Sequence, residues 1–147
     1  MVLEIKEVTK NDIAKAAFLF NAYRKFYEQP SDLEAAFNFL EQRIHNNESV
    51  VFLAFQNNEA VGFVQLYRVF SSVQLKPCLL LNDLFVAENV RKQGIGDALL
   101  QHAKQYGREN NNGSILLQTA ADNYKAQSVY EKNGWIKLQD FFYEFHL

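Results

Sequence analysis

The chain opens on alternation. Val2, Ile5 and Val8 stand apolar among charged neighbours, which predicts a short strand over residues 2–8. Thr9, with Asp12 three residues on, supplies a helix N-cap and an acidic first turn. Ile13, Ala16, Phe20 and Tyr23 or Tyr27 then recur at helical spacing, so a helix runs to about Glu28 and stops before Pro30. Ser31 or Asp32 caps a second helix with Leu33, Phe37, Leu40 and Ile44 on its inner face. From Ser49 the period changes. Residues 50–55 form an apolar strand, Asn57-Asn58 a turn and residues 60–69 a second strand, together a hairpin. Residues 79–86 read as a buried strand interrupted by Asn82 and Asp83. A helix follows from Gly94 to about Glu109, with Ile95, Leu99, His102 or Ala103, and Tyr106 at helical spacing. After a loop at 110–113 come a strand at 115–119 and a helix at 123–132 stopped by Asn133-Gly134. Two final strands are expected at 135–138 and 141–146.

The order is therefore β-α-α-β-β-β-α-β-α-β-β. It implies an α/β protein of the mixed-sheet, α+β kind with helices on both faces of the sheet. No repeat, linker or composition break divides the chain, and 147 residues suit a single domain over 1–147.

Composition narrows the function. Hydrophobic residues are 48% and charged residues 22%, ordinary for a globular chain and against a disordered one. Fifteen Lys+Arg against 17 Asp+Glu leave a net charge of -2, so neither nucleic acid nor an anionic membrane is favoured as a partner. Cys78 alone cannot form an internal disulfide, and a reducing cytoplasm is the default compartment. One Cys and the scattered His45, His102 and His146 give no metal-ligand pair, so no metal is expected. No basic-then-apolar leader and no apolar run near 18 residues are present. Thirteen Phe and seven Tyr point to an aromatic-rich core with spare phenols at its edges.

The most informative stretch runs from Asn82 to Gly96. A buried strand, Asn82-Asp83-Leu84-Phe85-Val86, leads through a loop into Arg91-Lys92-Gln93-Gly94-Ile95-Gly96 and directly into a helix. The first turn of a helix offers free N–H groups and partial positive charge. Gly94 and Gly96 carry no side chain to block an approaching anion, and Arg91 and Lys92 add charge. Together they describe a phosphate cradle. It matches neither G-x-x-x-x-G-K-[ST] nor a full G-x-G-x-x-G, since position 99 is Leu.

Arg91-x-x-Gly94-x-Gly96, following Leu84-Phe85-Val86, resembles the acetyl-CoA-binding motif of the GNAT N-acetyltransferases. Asn123-x-x-Ala126-x-x-x-Tyr130-x-x-x-Gly134-Trp135 resembles the later N-x-x-A-x-x-x-Y-x-x-x-G-F element, with Trp for the usual Phe. The resemblance implies a GNAT-like fold and acetyl-CoA as cosubstrate. The strand ending at Val86 and the strand at 115–119 would splay apart, and the pantetheine arm would fill the gap. Phe85 and Val86 would contact that arm, with the Val86 N–H on the thioester carbonyl. Arg91, Lys92, Gln93, Gly94, Ile95, Gly96 and Asp97 would hold the pyrophosphate, chiefly through backbone amides. Asn123 and Ala126 would line the other side. Lys92 and Asp97 depart from the family's commoner residues; Asp97 is expected to turn outward and give only its N–H.

Tyr130 shares a helix face with Asn123 and Ala126. Spacing alone leaves two roles open: a buried phenol capping a backbone group, or an acid for the departing thiolate. The resemblance favours the acid. Asp83 is the best carboxylate near the reacting centre. It is a water-mediated base, an anchor for a cationic amine, or a strand-end carboxylate bonded to backbone. Asn82 stands where related enzymes often carry a second acid, and it cannot act as a base. Tyr23 and Tyr27, in Tyr23-Arg24-Lys25-Phe26-Tyr27-Glu28, fall where the family builds its acceptor wall. With Asn82 and Asp83 they are the substrate-binding candidates. Gln65, Tyr67 and Arg68 on the hairpin and Phe141-Phe142-Tyr143 near the end are weaker clues. An aromatic pocket with a carboxylate suits a small cationic amine, whereas Arg24 or Arg68 would grip an acceptor carboxylate. The expected activity is acetyl transfer to a primary amine of a small molecule by direct attack. The alternatives are a protein or peptide acetyltransferase and a non-catalytic CoA-binding sensor. A homodimer is expected from family habit and the aromatic final strand.

Overall fold

The computed structural model describes residues 2–147. The strands are β1 (Leu3–Glu7), β2 (Ser49–Gln56), β3 (Glu59–Ser71), β4 (Lys76–Val86) and β5 (Ile115–Leu117); the helices are α1 (Ile13–Phe26), α2 (Leu33–His45), α3 (Ile95–Glu109) and α4 (Tyr124–Lys132). The strands make one sheet in the order β1-β2-β3-β4-β5. Each of the first three pairs is antiparallel, and β5 runs parallel to β4. This is the mixed α/β class expected from the pattern of elements.

The sheet is apolar on both sides because both sides are covered. In β2, Val50, Phe52 and Ala54 join a core with Ile95, Leu99, Leu100 and Ala103 of α3. The alternate residues Val51, Leu53 and Phe55 join a second core with α1 and α2. Successive side chains of a strand point to opposite faces, so one continuous apolar run feeds two cores. The hairpin between β2 and β3 turns on Asn57 and Asn58, both at positive φ (51° and 68°). Two left-handed residues are what a tight two-residue hairpin needs, and Asn adopts that region at low cost. Thr9 donates its N–H to the Asp12 carboxylate at 3.1 Å, so the predicted cap forms; the chain there makes a 3-10 turn before α1 begins at Ile13. Asp32 caps α2 by accepting the Ala35 N–H at 3.0 Å.

Two features shape the far edge of the sheet. Gln65 of β3 pairs with Asp83 of β4, and the next residue, Leu66, pairs with Leu81. Asn82 is therefore an extra residue, a β-bulge that resets the alternation of β4. The second feature is a mismatch in length. Pairing of β4 with β5 ends at Leu81 and Leu117, while β4 runs on to Val86.

The structure differs from expectation at the C-terminal end of the chain. Neither of the two expected final strands forms, and among the described residues no backbone hydrogen bond reaches beyond Trp135. The physical reason lies in burial: Phe141, Tyr143 and Phe145 stand exposed, so no apolar face is covered to offset the entropy of ordering a strand.

Leu99, fully buried where α3 meets the sheet, tests this packing. Leu99→Ala is expected to lower unfolding free energy by roughly 2–5 kcal/mol, read by urea denaturation.

Candidate active site

A cleft of about 790 Å³ opens where β4 outruns β5. One wall is Asn82, Leu84 and Val86; the other is Leu117, Gln118, Thr119 and Ala120. The groups that β5 would have paired are left on the open edge of β4. Their direction follows from strand geometry. The Ala87 N–H donates to Val61 O at 2.8 Å, on the β3 side. Successive N–H groups of a strand point to opposite sides, so the Val86 N–H points away from β3, into the cleft. The Val86 carbonyl accepts a hydrogen bond from Arg91 Nε at 2.9 Å, which closes the end of the open edge.

That contact gives Arg91 a place the sequence did not predict. Its guanidinium lies over the rings of Phe26 and Phe85, 5.3 and 5.6 Å from their centroids. Phe85 itself packs its ring among Tyr23 and Phe63 on the α1 side. Ile95 is buried in the α3 core. Around them the loop takes an unusual path: Lys92 sits at φ 64° and Gly94, the residue just before α3, at φ 80°. Lys92 is exposed, and the Gln93 side chain meets the Gln56 side chain at 3.0 Å. Gly96 lines the cleft, and a Cβ built there would meet nothing within 4 Å. The first turn of α3 thus presents bare backbone to open space, which fits an anionic ligand.

Asp97 turns away from that space, towards α4. Its carboxylate accepts from Asn133 Nδ2 at 2.7 Å and from Lys132 Nζ at 3.2 Å. The Asn133 bond, aided by Lys132, holds its pKa below the usual carboxylate value. α4 contributes Asn123, Lys125, Ala126, Val129 and Tyr130 to the cleft. The Asn123 side chain caps the helix by accepting the Ala126 N–H at 3.1 Å. Burial, reinforced by the nearby Tyr27, pushes the Tyr130 phenol pKa up. It therefore stays protonated through the range in which an ordinary tyrosine begins to ionise.

From the other side α1 supplies Tyr23, Phe26 and Tyr27. Below them is a polar cluster inside the sheet. Asp83 is only 5% exposed. Gln65 Nε2 donates to its Oδ2 at 2.7 Å, and Asn82 Nδ2 to its Oδ1 at 3.1 Å. Burial and the adjacent Asp83 carboxylate, which the phenol faces as a hydrogen-bond donor, push the Tyr23 pKa strongly upward. Burial and the same carboxylate push the Tyr67 phenol up to about 12. Of the substrate-binding candidates, Tyr23, Tyr27 and Asn82 line the cleft, while Asp83 lies behind them. Arg68 lies elsewhere, donating to the Tyr106 hydroxyl at 3.1 Å. Sequence reasoning did not single out Phe26 or Lys125 as site residues; adjacency to Tyr27 and Asn123 was the available signal. The 117–119 part of the wall belongs to the strand that the resemblance led one to expect on the far side of the gap.

The residues of this cleft fall within a stretch, 16–135, that matches the family model described as acetyltransferase (GNAT) family, save for Phe142. The chain belongs to the GNAT acetyltransferase family. It is 47% identical over 133 residues to an uncharacterized N-acetyltransferase, YhfO, of Bacillus subtilis, covering 90% of this chain and 89% of that protein. A probable acetyltransferase of Haemophilus influenzae is 36% identical over 118 residues, 80% of this chain and 79% of that one. A crystal structure of a probable acetyltransferase superposes with a TM-score of 0.90 at 41% identity, over 98% of this chain and 97% of that one. The GNAT chain is thus an enzyme of acetyl transfer, and its family generally uses acetyl-CoA. Among the described residues no cluster of His, Cys, Asp and Glu could hold a metal ion, and no helix is long and apolar enough to cross a membrane.

Gly96 offers a direct test of the cleft. Gly96→Glu places a carboxylate in the open space at the start of α3. CoA affinity measured by calorimetry is expected to fall at least about 100-fold, near the 3 kcal/mol that one opposed and desolvated charge costs. Unchanged affinity would put the pyrophosphate elsewhere.

Proposed function

We propose that this enzyme transfers acetyl from acetyl-CoA to a primary amine of a small cationic molecule by direct attack. The observation that carries the reading is the parting of β4 from β5, with the Val86 N–H on one wall and Tyr130 of α4 lining the same cleft. The bare first turn of α3 at Gly96 suits the pyrophosphate, and the amides of residues 93–97 would hold it. Asn123 and Ala126 flank the pantetheine arm. When bound, the cosubstrate supplies an activated acyl group as its thioester.

The chain's own groups then have distinct tasks. The Val86 N–H, fixed by the β3 pairing of its neighbour, donates to the acyl oxygen as charge develops there. Tyr130 gives its proton to the departing thiolate, and its raised pKa keeps that proton in place until it is needed. Asp83 supplies the negative charge that draws in an ammonium group. Its burial and its bonds to Gln65 and Asn82 support an anchoring role over direct proton abstraction. The ammonium gives one proton to solvent before it attacks. The C–S bond breaks as the C–N bond forms, and the proton shed by the acylated nitrogen replaces the one Tyr130 gave to the thiolate. Tyr23 and Asn82, both neutral donors to Asp83, stand between that charge and the cleft surface. Tyr23, Phe26 and Tyr27 provide aromatic faces for a cation. The aromatic wall and the buried carboxylate together favour a small amine over a protein substrate.

The test is acetyl-CoA-dependent release of CoA against polyamines, amino acids, aminoglycosides and lysine peptides, assayed as separate pools. Turnover is expected with a small cationic amine. Turnover with lysine peptides alone would overturn the acceptor assignment, and CoA binding without turnover on any pool would overturn the reaction.

The acid role has its own measurement. Tyr130→Phe is expected to lower kcat by roughly 10²-fold or more while CoA affinity changes little. Because the Tyr130 pKa lies above the ordinary value of 10.0, wild-type kcat should show no falling limb below that pH. A limb below it that Tyr130→Phe abolishes would contradict the account.

A further inference from the structure

Polar side chains from one face of α3 converge on a single residue at the end of α4. Asp97, Gln101 and Lys104 follow helical spacing, so they line one side of α3. All of them bond Asn133. Asp97 Oδ1 accepts from Asn133 Nδ2 at 2.7 Å, Gln101 Nε2 donates to Asn133 Oδ1 at 3.0 Å, and Lys104 Nζ donates to the Asn133 carbonyl. Asn133 in turn grips the last turn of its own helix. The Nδ2 that reaches Asp97 also donates to the Val129 carbonyl at 2.8 Å, and the Asn133 N–H donates to the Tyr130 carbonyl at 3.0 Å. Tyr130 is thus held through its backbone by the residue that α3 holds.

Asp97 differs from the other two in its place. It lies in the first turn of α3, next to Gly96, which lines the same cleft as Tyr130. An acid in that turn suits the helix dipole but opposes a bound anion. The dipole alone would leave the side chain free to point into solvent. It points instead to α4, where Lys132 Nζ lies 3.2 Å away and offsets the charge. One residue therefore has its backbone N–H among the amides assigned to the pyrophosphate and its carboxylate on the helix that carries Tyr130. Val129 and Tyr130 are only partly buried against the α3 core, so this polar contact fixes what packing leaves loose.

We propose that Asp97 is a positioning residue for acetyl transfer: by holding Asn133 from the first turn of α3, it sets where Tyr130 stands relative to the bound cosubstrate. The inference rests on the acid role given to Tyr130 above. The phenol must meet the sulfur of a ligand whose phosphates lie on α3, so the distance between the two helices decides whether proton and thiolate come within reach. Asp97 sets that distance, joining the two helices beside the cleft itself. Its side chain touches neither the ligand nor the reacting atoms; its effect passes through Tyr130.

A double-mutant cycle of Asp97→Ala with Tyr130→Phe tests this. The readout is CoA release from saturating acetyl-CoA in the combined polyamines, amino acids, aminoglycosides and lysine peptides, so it does not depend on which amine reacts. Asp97→Ala alone is expected to lower kcat at least about 10-fold, while CoA affinity by calorimetry stays within about twofold or rises. In the Tyr130→Phe background the same change should cost less than about twofold, because the group it positions is gone. Asp97→Asn keeps an oxygen for Asn133 and loses only an exposed ion pair, so kcat should return to within about threefold of wild type. Asn133→Ala cuts the contact from the other side and should repeat the pattern, which decides the matter if Asp97→Ala fails to fold. Equal losses of kcat with and without Tyr130, or a loss of CoA affinity in step with kcat, would overturn the proposal. Hydrogen exchange of residues 129–134 gives a reading independent of turnover. It should quicken at least about 10-fold in Asp97→Ala, and unchanged exchange would overturn the proposal. Absence of turnover in the wild type, by contrast, strikes the reaction proposed above and leaves the exchange result to decide on Asp97.

Discussion

A strand that outruns its neighbour must satisfy its backbone some other way, and this constraint organises the molecule. β4 is 11 residues long and β5 only three, so β4 continues past its pairing with Leu117 with one side unpaired. A buried N–H or C=O without a partner is costly. The fold answers at one point with Arg91, which takes the Val86 carbonyl. The remaining groups face a cleft wide enough for an extended ligand to lie against them as an added strand would. Binding and the proposed catalysis then share one origin: the Val86 amide, proposed to hold the acyl oxygen, is available because β5 ends early.

The bulge at Asn82 gives this edge its chemistry. One extra residue shifts the alternation of β4, so that Asp83 falls inside the sheet and Asn82 on the cleft wall. Without it, the positions around the reacting centre would exchange faces. A carboxylate placed inside a sheet needs donors, and Gln65, opposite it in the register, provides one from a fully buried position. The oxygen of that same amide, Gln65 Oε1, has no hydrogen-bond partner among the described residues. The cost of such a group is accepted where the charge it supports is useful.

Much of this was legible in the sequence, for identifiable reasons. Periodicity located all four helices and the first five strands because each buries a face against a neighbour. The capping residues Asp32 and Asn123 marked their helix starts because a side-chain oxygen is the nearest partner for a free N–H. Gly94 and Gly96 announced the bare turn of α3. What escaped were contacts between residues far apart in the chain. Nothing local to Arg91 says that it folds back onto Val86, nor local to Asp97 that Lys132 and Asn133 await it. The pairing of Gln65 with Asp83 depends on a register that the bulge alters. The alternation of residues 141–146 is strand-like, but a pattern cannot say whether a strand has a partner within its own chain.

The attachment of α4 has a consequence for how the enzyme meets heat. None of its residues is fully buried, though Val129 and Tyr130 pack against the α3 core. Its end is also held by polar ties: Asp97 to Lys132 and Asn133, Gln101 to Asn133 at 3.0 Å, and Lys104 to the Asn133 carbonyl. Ties of this kind are individually weak at an exposed surface and are loosened by salt. A helix with no fully buried residue opens at lower cost than the sheet, and Tyr130 travels with it. Heat that loosens α4 first would misplace the proton of the proposed acid while the scaffold stays intact.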